Sequence, residues 1–298
     1  MMILQRMESL AFFLLYIASS PLKTVSWLPV RQQSSRICPP LLWAERSPFE
    51  KPNQIKLDDG EIIDVVSRSV QVTEDWSLTI WEKHEPADTV EHYWNTQGGC
   101  AKALDPFGLV NWPGSVVAAQ ELLKYKDEIQ NAVVVIIGAG TGVEAQAIAM
   151  LGAKKVIATD YNPTTLKLLE YGASNAGLEN VITTQHFDLF STERIPDCDI
   201  LIAADVMYSE KLSTILSNRC REALRKANPP KILVSDSQRF ADFVPRLRQQ
   251  LGDDSLQWEE RLLDSFTGSG VMINDDQTYD VKARVLAIGW ARRPSALL

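Results

Sequence analysis

The chain has 298 residues, a formal net charge of −8, 45% hydrophobic and 23% charged residues. That balance supports one large domain or two small ones and excludes a wholly disordered chain. With 15 glycines and 4 cysteines, collagen-like and disulfide-framework classes are excluded as well, and the acidic excess argues against a broad nucleic-acid surface, which needs clustered Lys and Arg.

The charge is unevenly spread. Residues 1–44 carry Arg6, Lys23, Arg31 and Arg36 against Glu8, so +4 − 1 = +3, and the rest holds 26 basic and 37 acidic residues, so −11. Leu10–Ala18 is an apolar run of nine residues, short of the ~20 a spanning helix needs and within the range of a signal-peptide core. Ala18-Ser19-Ser20 follows as a small-residue exit, then an acid-free stretch of Ser, Pro and Arg up to Ala44. Residues 1–44 are therefore expected to be a presequence that is removed on delivery to an organelle, plastid or mitochondrion. The alternative is a disordered leader on a cytoplasmic protein. No stable membrane association is expected. Cys38, Cys100, Cys198 and Cys220 have neither metal-ligand spacing nor a pairing pattern, so they read as reduced thiols.

Residues 45–60 are polar and contain proline, and are expected to be a linker. Residues 61–111 form an N-terminal extension in which Glu61–Val72 and Trp76–Trp81 alternate as two strands of a hairpin. Trp76, Trp81, Tyr93 and Trp94 are expected to build a small core over a sheet edge. Apolar residues at helical spacing place a helix over Ser115–Tyr125.

From residue 133 the pattern becomes that of an α/β fold. Val133–Ile137 is a run apolar on both faces, as a buried parallel strand requires. Helix 143–151, strand 155–159 and a helix from Pro163 to about Ala176 follow. Next come strand 181–186, strand 200–204, helix 209–227, strand 231–235 and helix 239–251. Strands at 256–262 and 281–290 close the chain as antiparallel neighbours, with 264–279 as their connection. The expected architecture is a doubly wound, Rossmann-like sheet of seven strands, mostly parallel with an antiparallel final strand, over 112–298.

Ligands bind such sheets at the carboxyl ends of the strands. The first strand runs into Gly138-Ala139-Gly140-Thr141-Gly142, a turn that lets a ligand approach backbone and opens a helix whose free N–H groups favour an anion. Asp160 ends the second strand, where an acid can accept from both ribose hydroxyls. Two cofactor classes, a nicotinamide dinucleotide and S-adenosylmethionine, share this geometry. His84, His92 and His186 lack partners at ligand spacing, so no metal is expected.

The glycine spacing G-x-G-x-G, with Val143 where the dinucleotide fingerprint has its last glycine, resembles the S-adenosylmethionine loop of Rossmann-like methyltransferases. A departure is Ile136, where that family usually carries an acid. The resemblance implies S-adenosylmethionine as cofactor, held by Gly138, Ala139, Gly140, Gly142 and Asp160. Asp188 would accept from the adenine amino group, Leu189 would pack on the ring, Trp112 would wall the methionine end, and Ala204 would flank the site. Asp205-Val206-Met207-Tyr208 is similar to the D-x-x-Y motif that follows the fourth strand in seven-strand protein lysine methyltransferases. Asn111-Trp112-Pro113-Gly114-Ser115 and Asp236-Ser237-Gln238-Arg239 resemble two further elements of their nicotinamide N-methyltransferase-like branch, which includes the lysine methyltransferase acting on the electron-transfer flavoprotein β subunit. Asp236 and Arg239 match the second element; Ser237 and Gln238 do not.

The resemblance implies an enzyme that methylates a protein lysine, with Asp205 and Tyr208 as catalytic residues. The partner is then a lysine-bearing protein rather than nucleic acid. The alternatives are a small-molecule (nicotinamide-like) N-methyltransferase, an NAD-dependent oxidoreductase and a non-catalytic binding module.

Overall fold

The computed structural model describes residues 52–85, 106–238, 241–252, 257–267 and 278–290. The presequence reading and the expectations placed on His92, Tyr93, Trp94, Cys38, Cys100 and Arg239 lie outside these residues.

The extension forms a three-stranded antiparallel sheet of β1 (Asn53–Lys56), β2 (Ile62–Thr73) and β3 (Trp76–Lys83), in the order β1-β2-β3. Alternation drives it. Ile63, Val65, Val70 and Val72 of β2 point inward, and the residues between them are exposed or half-buried. β1 falls where the sequence reading has linker. The reason is local: Ile55 and Leu57 bury their side chains beside Ile63, Val65, Trp81 and Leu168, which a solvated linker would not do. Trp81 meets Tyr171 edge to face at 4.8 Å and carries this sheet onto the main domain.

A turn at Phe107–Leu109 leads to α1 (Pro113–Leu122), followed by the short α2 (Lys126–Ile129). Pro113 at the first helical position supplies its fixed φ where no N–H is needed. Strands and helices then alternate: β4 (Val133–Ile137), α3 (Val143–Met150), β5 (Lys155–Asp160), α4 (Pro163–Asn175), β6 (Ile182–His186), β7 (Ile200–Ala204), α5 (Glu210–Leu224), β8 (Lys231–Asp236), α6 (Val244–Leu251), β9 (Gln257–Thr267) and β10 (Thr278–Ile288).

The sheet order is β6-β5-β4-β7-β8-β10-β9. β4, β5, β6, β7 and β8 pair in parallel, and β10 pairs antiparallel with both β8 and β9. β4 and β7 lie side by side at the centre, and all five residues of β7 are buried. The chain reverses its direction of strand addition there, so the carboxyl ends of β4 and β7 flank the switch point where such folds take ligands.

Two boundaries differ from expectation. α6 begins at Val244 rather than 239, because Pro245 favours the first helical turn and not a helix interior. β9 and β10 run on through residues taken as their connection, pairing as far as Thr267 with Thr278, since ladder hydrogen bonds belong to the backbone and tolerate the polar residues there.

Candidate active site

The site is built where β4, β5, β7 and β8 end. Gly138, Gly140 and Gly142 all have left-handed φ, at 63°, 52° and 87°. At Gly142 a side chain is excluded twice: φ is strained for an L residue, and a Cβ would stand 2.8 Å from Leu169 Cγ. Gly140 N–H donates to Asp160 Oδ2 at 3.1 Å, and Asn162 N–H donates to Asp160 Oδ1 at 2.9 Å. Asp160 is thus fixed in the crook of the turn.

Asp205 is the hub. It takes a left-handed φ of 51° just past the end of β7, a conformation that Asp tolerates better than most residues. Its carboxylate accepts from Gly114 N–H at 2.6 Å, from Ser237 N–H at 2.6 Å and from Ser237 Oγ at 2.9 Å. α1 has Trp112 at its N-cap, which makes no side-chain cap. The cap is supplied instead from 91 residues away, by Asp205. Gly114 is small for this reason: a Cβ there would overlap the Asp205 carboxylate. α5 does not need Asp205, because Ser209 caps it, accepting from Leu212 N–H at 3.2 Å.

Tyr208 and Trp112 are brought together through Phe107, which the sequence reading did not single out. Phe107 meets Trp112 at 6.0 Å and Tyr208 at 5.1 Å, both edge to face, and its carbonyl accepts from Trp112 Nε1 at 2.6 Å. Its signal was faint, a lone aromatic in an irregular stretch. Ala139 and Ala204 are buried, lining the turn and the end of β7.

After β6, Asp188 and Leu189 each have partners within the fold. Asp188 Oδ1 accepts from Phe190 N–H at 2.8 Å, capping its own turn. Leu189 is 8% exposed and clusters with Phe187, Ile195 and Val206 in the core. Phe190 and, after β5, Tyr161 are the large apolar side chains left exposed here, at 45% and 46%. Their position directly after strand-ending segments was the signal available.

Carboxyls gather at the site. Asp236, at the end of β8, is held well above the usual carboxylate range, first by burial and then by the Asp205 charge; Gln238 N–H, donating to Asp236 Oδ1 at 2.6 Å, opposes this. Glu144, in the first turn of α3, is fully buried and pushed up to about 8. Burial is the main cause, Asp205 and Asp160 add to it, and its own N–H and the Ser115 hydroxyl oppose it. The Ser115 hydroxyl is near enough to favour the ionised form, yet neither carboxyl oxygen makes a full hydrogen bond. Glycines for close approach, an acid poised for ribose and buried acids for cationic groups fit S-adenosylmethionine, which carries a ribose, an ammonium and a sulfonium.

Strand order, the antiparallel β10 and the glycine turn at the switch point together define the seven-stranded, Rossmann-like methyltransferase class. Residues 101–249, half of the chain, match the family described as lysine methyltransferase, and the chain belongs to that family. Relatives include the ribosomal protein L11 methyltransferase of Geobacillus thermodenitrificans, 29% identical over 161 residues, covering 54% of this chain and 47% of the relative. The electron transfer flavoprotein beta subunit lysine methyltransferase of Homo sapiens is 28% identical over 158 residues, covering 53% and 60%. Among solved structures, the 16S rRNA N2 G1207 methyltransferase of T. thermophilus in complex with AdoMet and guanosine is similar with a TM-score of 0.45 and 14% identity, over 75% of this chain and 50% of that one. The chain spans about half the length of the curated relatives it matches.

Proposed function

We propose that the protein is an S-adenosylmethionine-dependent methyltransferase acting on the side-chain amine of a lysine in a protein substrate. The observation that carries this is adjacency. The Asp205–Tyr208 segment abuts the glycine turn so closely that a Cβ on Gly138 would stand 2.8 Å from Val206. Donor and acceptor ends of the reaction thus share one wall.

The cofactor, when bound, supplies a methyl group on a cationic sulfur. Held by Asp160 and the glycine turn at residues 138–142, it would give up that methyl to the acceptor nitrogen, the sulfur keeping the electron pair of the broken bond. The chain's task is alignment and exclusion of water. A lysine must first lose a proton, which costs roughly 4 kcal/mol near pH 7.5 from its reference pKa of about 10.4. Asp205 is not a mobile base, since three donors hold its carboxylate. It positions α1 and the β8 end around the acceptor and supplies negative charge. Tyr208 and Phe107 offer aromatic surface to the cationic nitrogen, and Asp160 holds the ribose.

The test is incubation with isotopically labelled S-adenosylmethionine, offered in parallel with organelle protein extract and with small amines of the nicotinamide type. Label is expected on lysines of one or a few proteins. Label confined to small molecules overturns the protein-lysine reading, and binding of NADH but not S-adenosylhomocysteine overturns the methyltransferase reading.

A further inference from the structure

Glu144 has no task in the fold or in the mechanism above. It is fully buried at the second position of α3, and neither carboxyl oxygen has a full hydrogen bond. A helical side chain leans toward the N-terminus of its helix, so this carboxyl reaches back over the glycine turn. The polar groups facing it come from three other elements: Ser115 on α1, Asp160 at the end of β5 and Asp205 after β7. An unpartnered buried carboxyl is costly, and the two neighbouring acids make it costlier. The arrangement is relieved by a cation arriving from the ligand side. Ser115 is half-buried, follows Gly114, which Asp205 holds, and its hydroxyl interacts with the Glu144 carboxyl. A serine hydroxyl can donate to a carboxylate while accepting from an ammonium.

We propose that Ser115 and Glu144 form a relay that receives the α-ammonium of the cofactor's methionine end. Ser115 Oγ accepts from the ammonium and donates to Glu144, which supplies the opposing charge from behind. Glu144 is a positioning residue, acting through Ser115, and the proposal rests on the S-adenosylmethionine reading above. A cation arriving there lowers the Glu144 pKa, so the acid, neutral in the free protein, releases its proton on binding. Ile136, apolar and buried in the same layer as α1 and α3, leaves Glu144 to supply this charge.

Two ligands isolate the ammonium: S-adenosylhomocysteine, which has it, and 5′-methylthioadenosine, which keeps the nucleoside and sulfur but lacks it. Titration calorimetry at pH 7.0, in two buffers of different ionisation enthalpy, gives affinity and proton count together. Wild-type protein is expected to release roughly half to one proton with S-adenosylhomocysteine, from a group at about 8 that ionises on binding. Glu144→Gln is expected to abolish that release and weaken S-adenosylhomocysteine about 10- to 100-fold, the range for a lost bond to a charged group. It should leave methylthioadenosine within about twofold on the same reasoning. Ser115→Ala, which keeps the helix, should repeat the selective loss. Unchanged S-adenosylhomocysteine affinity or unchanged proton release in Glu144→Gln overturns the relay, as does equal weakening of both ligands. Wild-type protein that binds neither ligand defeats the cofactor reading itself, and the relay with it.

Discussion

Replacing Asp205 separates its role as a cap from any role in chemistry. Asp205→Asn keeps the shape and suits the left-handed backbone, but one acceptor oxygen becomes an NH2. Whichever way the amide turns, it faces the N–H of Gly114 or of Ser237, donor against donor. Hydrogen bonds to a charged group contribute about 1.5–3 kcal/mol each, so losing one and leaving its partner unsatisfied predicts roughly 2–4 kcal/mol of destabilisation. Asp205→Ala loses all three bonds and adds roughly 1 kcal/mol of left-handed strain. Relief of the repulsion on Asp236 and Glu144 returns part of this, so a net loss of about 3–5 kcal/mol is expected. At roughly 2–4 °C per kcal/mol for a domain of this size, Asp205→Asn should melt about 5–15 °C below wild type. Urea denaturation followed by circular dichroism measures both variants, and an unchanged m-value confirms that stability alone has changed. Ser237→Ala should cost about 1.5–3 kcal/mol, as it removes one hydroxyl bond to the carboxylate. If Asp205→Ala shifts stability by less than about 1 kcal/mol, the carboxylate does not cap α1 and the assignment fails.

Three further outcomes are expected. The Glu144 carboxyl is raised from 4.5 to about 8 in the folded protein; its protonation therefore stabilises the fold fully below the unfolded value and ceases to do so as pH rises through 8. The urea midpoint should be lower at pH 7.5 than at pH 5 in wild type, this group contributing up to about 3 kcal/mol over that interval, and Glu144→Gln should flatten the dependence. Gly142→Ala should cost roughly 2–4 kcal/mol, from left-handed strain and a Cβ forced against Leu169; thermal melting measures it, and Gly177→Ala, with a left-handed φ of 69° but open space around its Cβ, gives the strain without the clash. Trp81→Ala should cost about 3–5 kcal/mol as the Tyr171 contact is lost, with hydrogen exchange rising first in β1–β3.

The nucleotide-fold half was legible because its signals are local. An apolar strand, three glycines and a strand-ending acid lie within 30 residues, and the periods of helix and strand report burial directly. β1 was missed because two apolar residues in a polar stretch carry no period; only their landing on Leu168 and Trp81 explains them. The Asp205–Gly114 bond was missed for a related reason. Asp205, Ser209 and Trp112 all sit near helix starts, and chain order makes Ser209 or Asp205 the cap of α5, whereas tertiary placement gives Asp205 to α1. Glu144 reads in sequence as an ordinary acid in a first helical turn, a favourable place on a solvated helix. Its burial follows from α1 crossing over it, which no periodicity within α3 reports.

The cap on α1 also sets an order of events during synthesis. α1 leaves the ribosome well before Asp205 and Ser237, so its first turn is made without the groups that complete it. Until β7 and β8 are in place, Gly114 N–H must remain with water, and the mouth of the site cannot acquire its final shape. β10, the last strand, then pairs with β8 and brings β9 to the edge. A chain interrupted before residue 237 is therefore expected to hold its glycine turn but not a finished pocket, which takes its shape only late in translation.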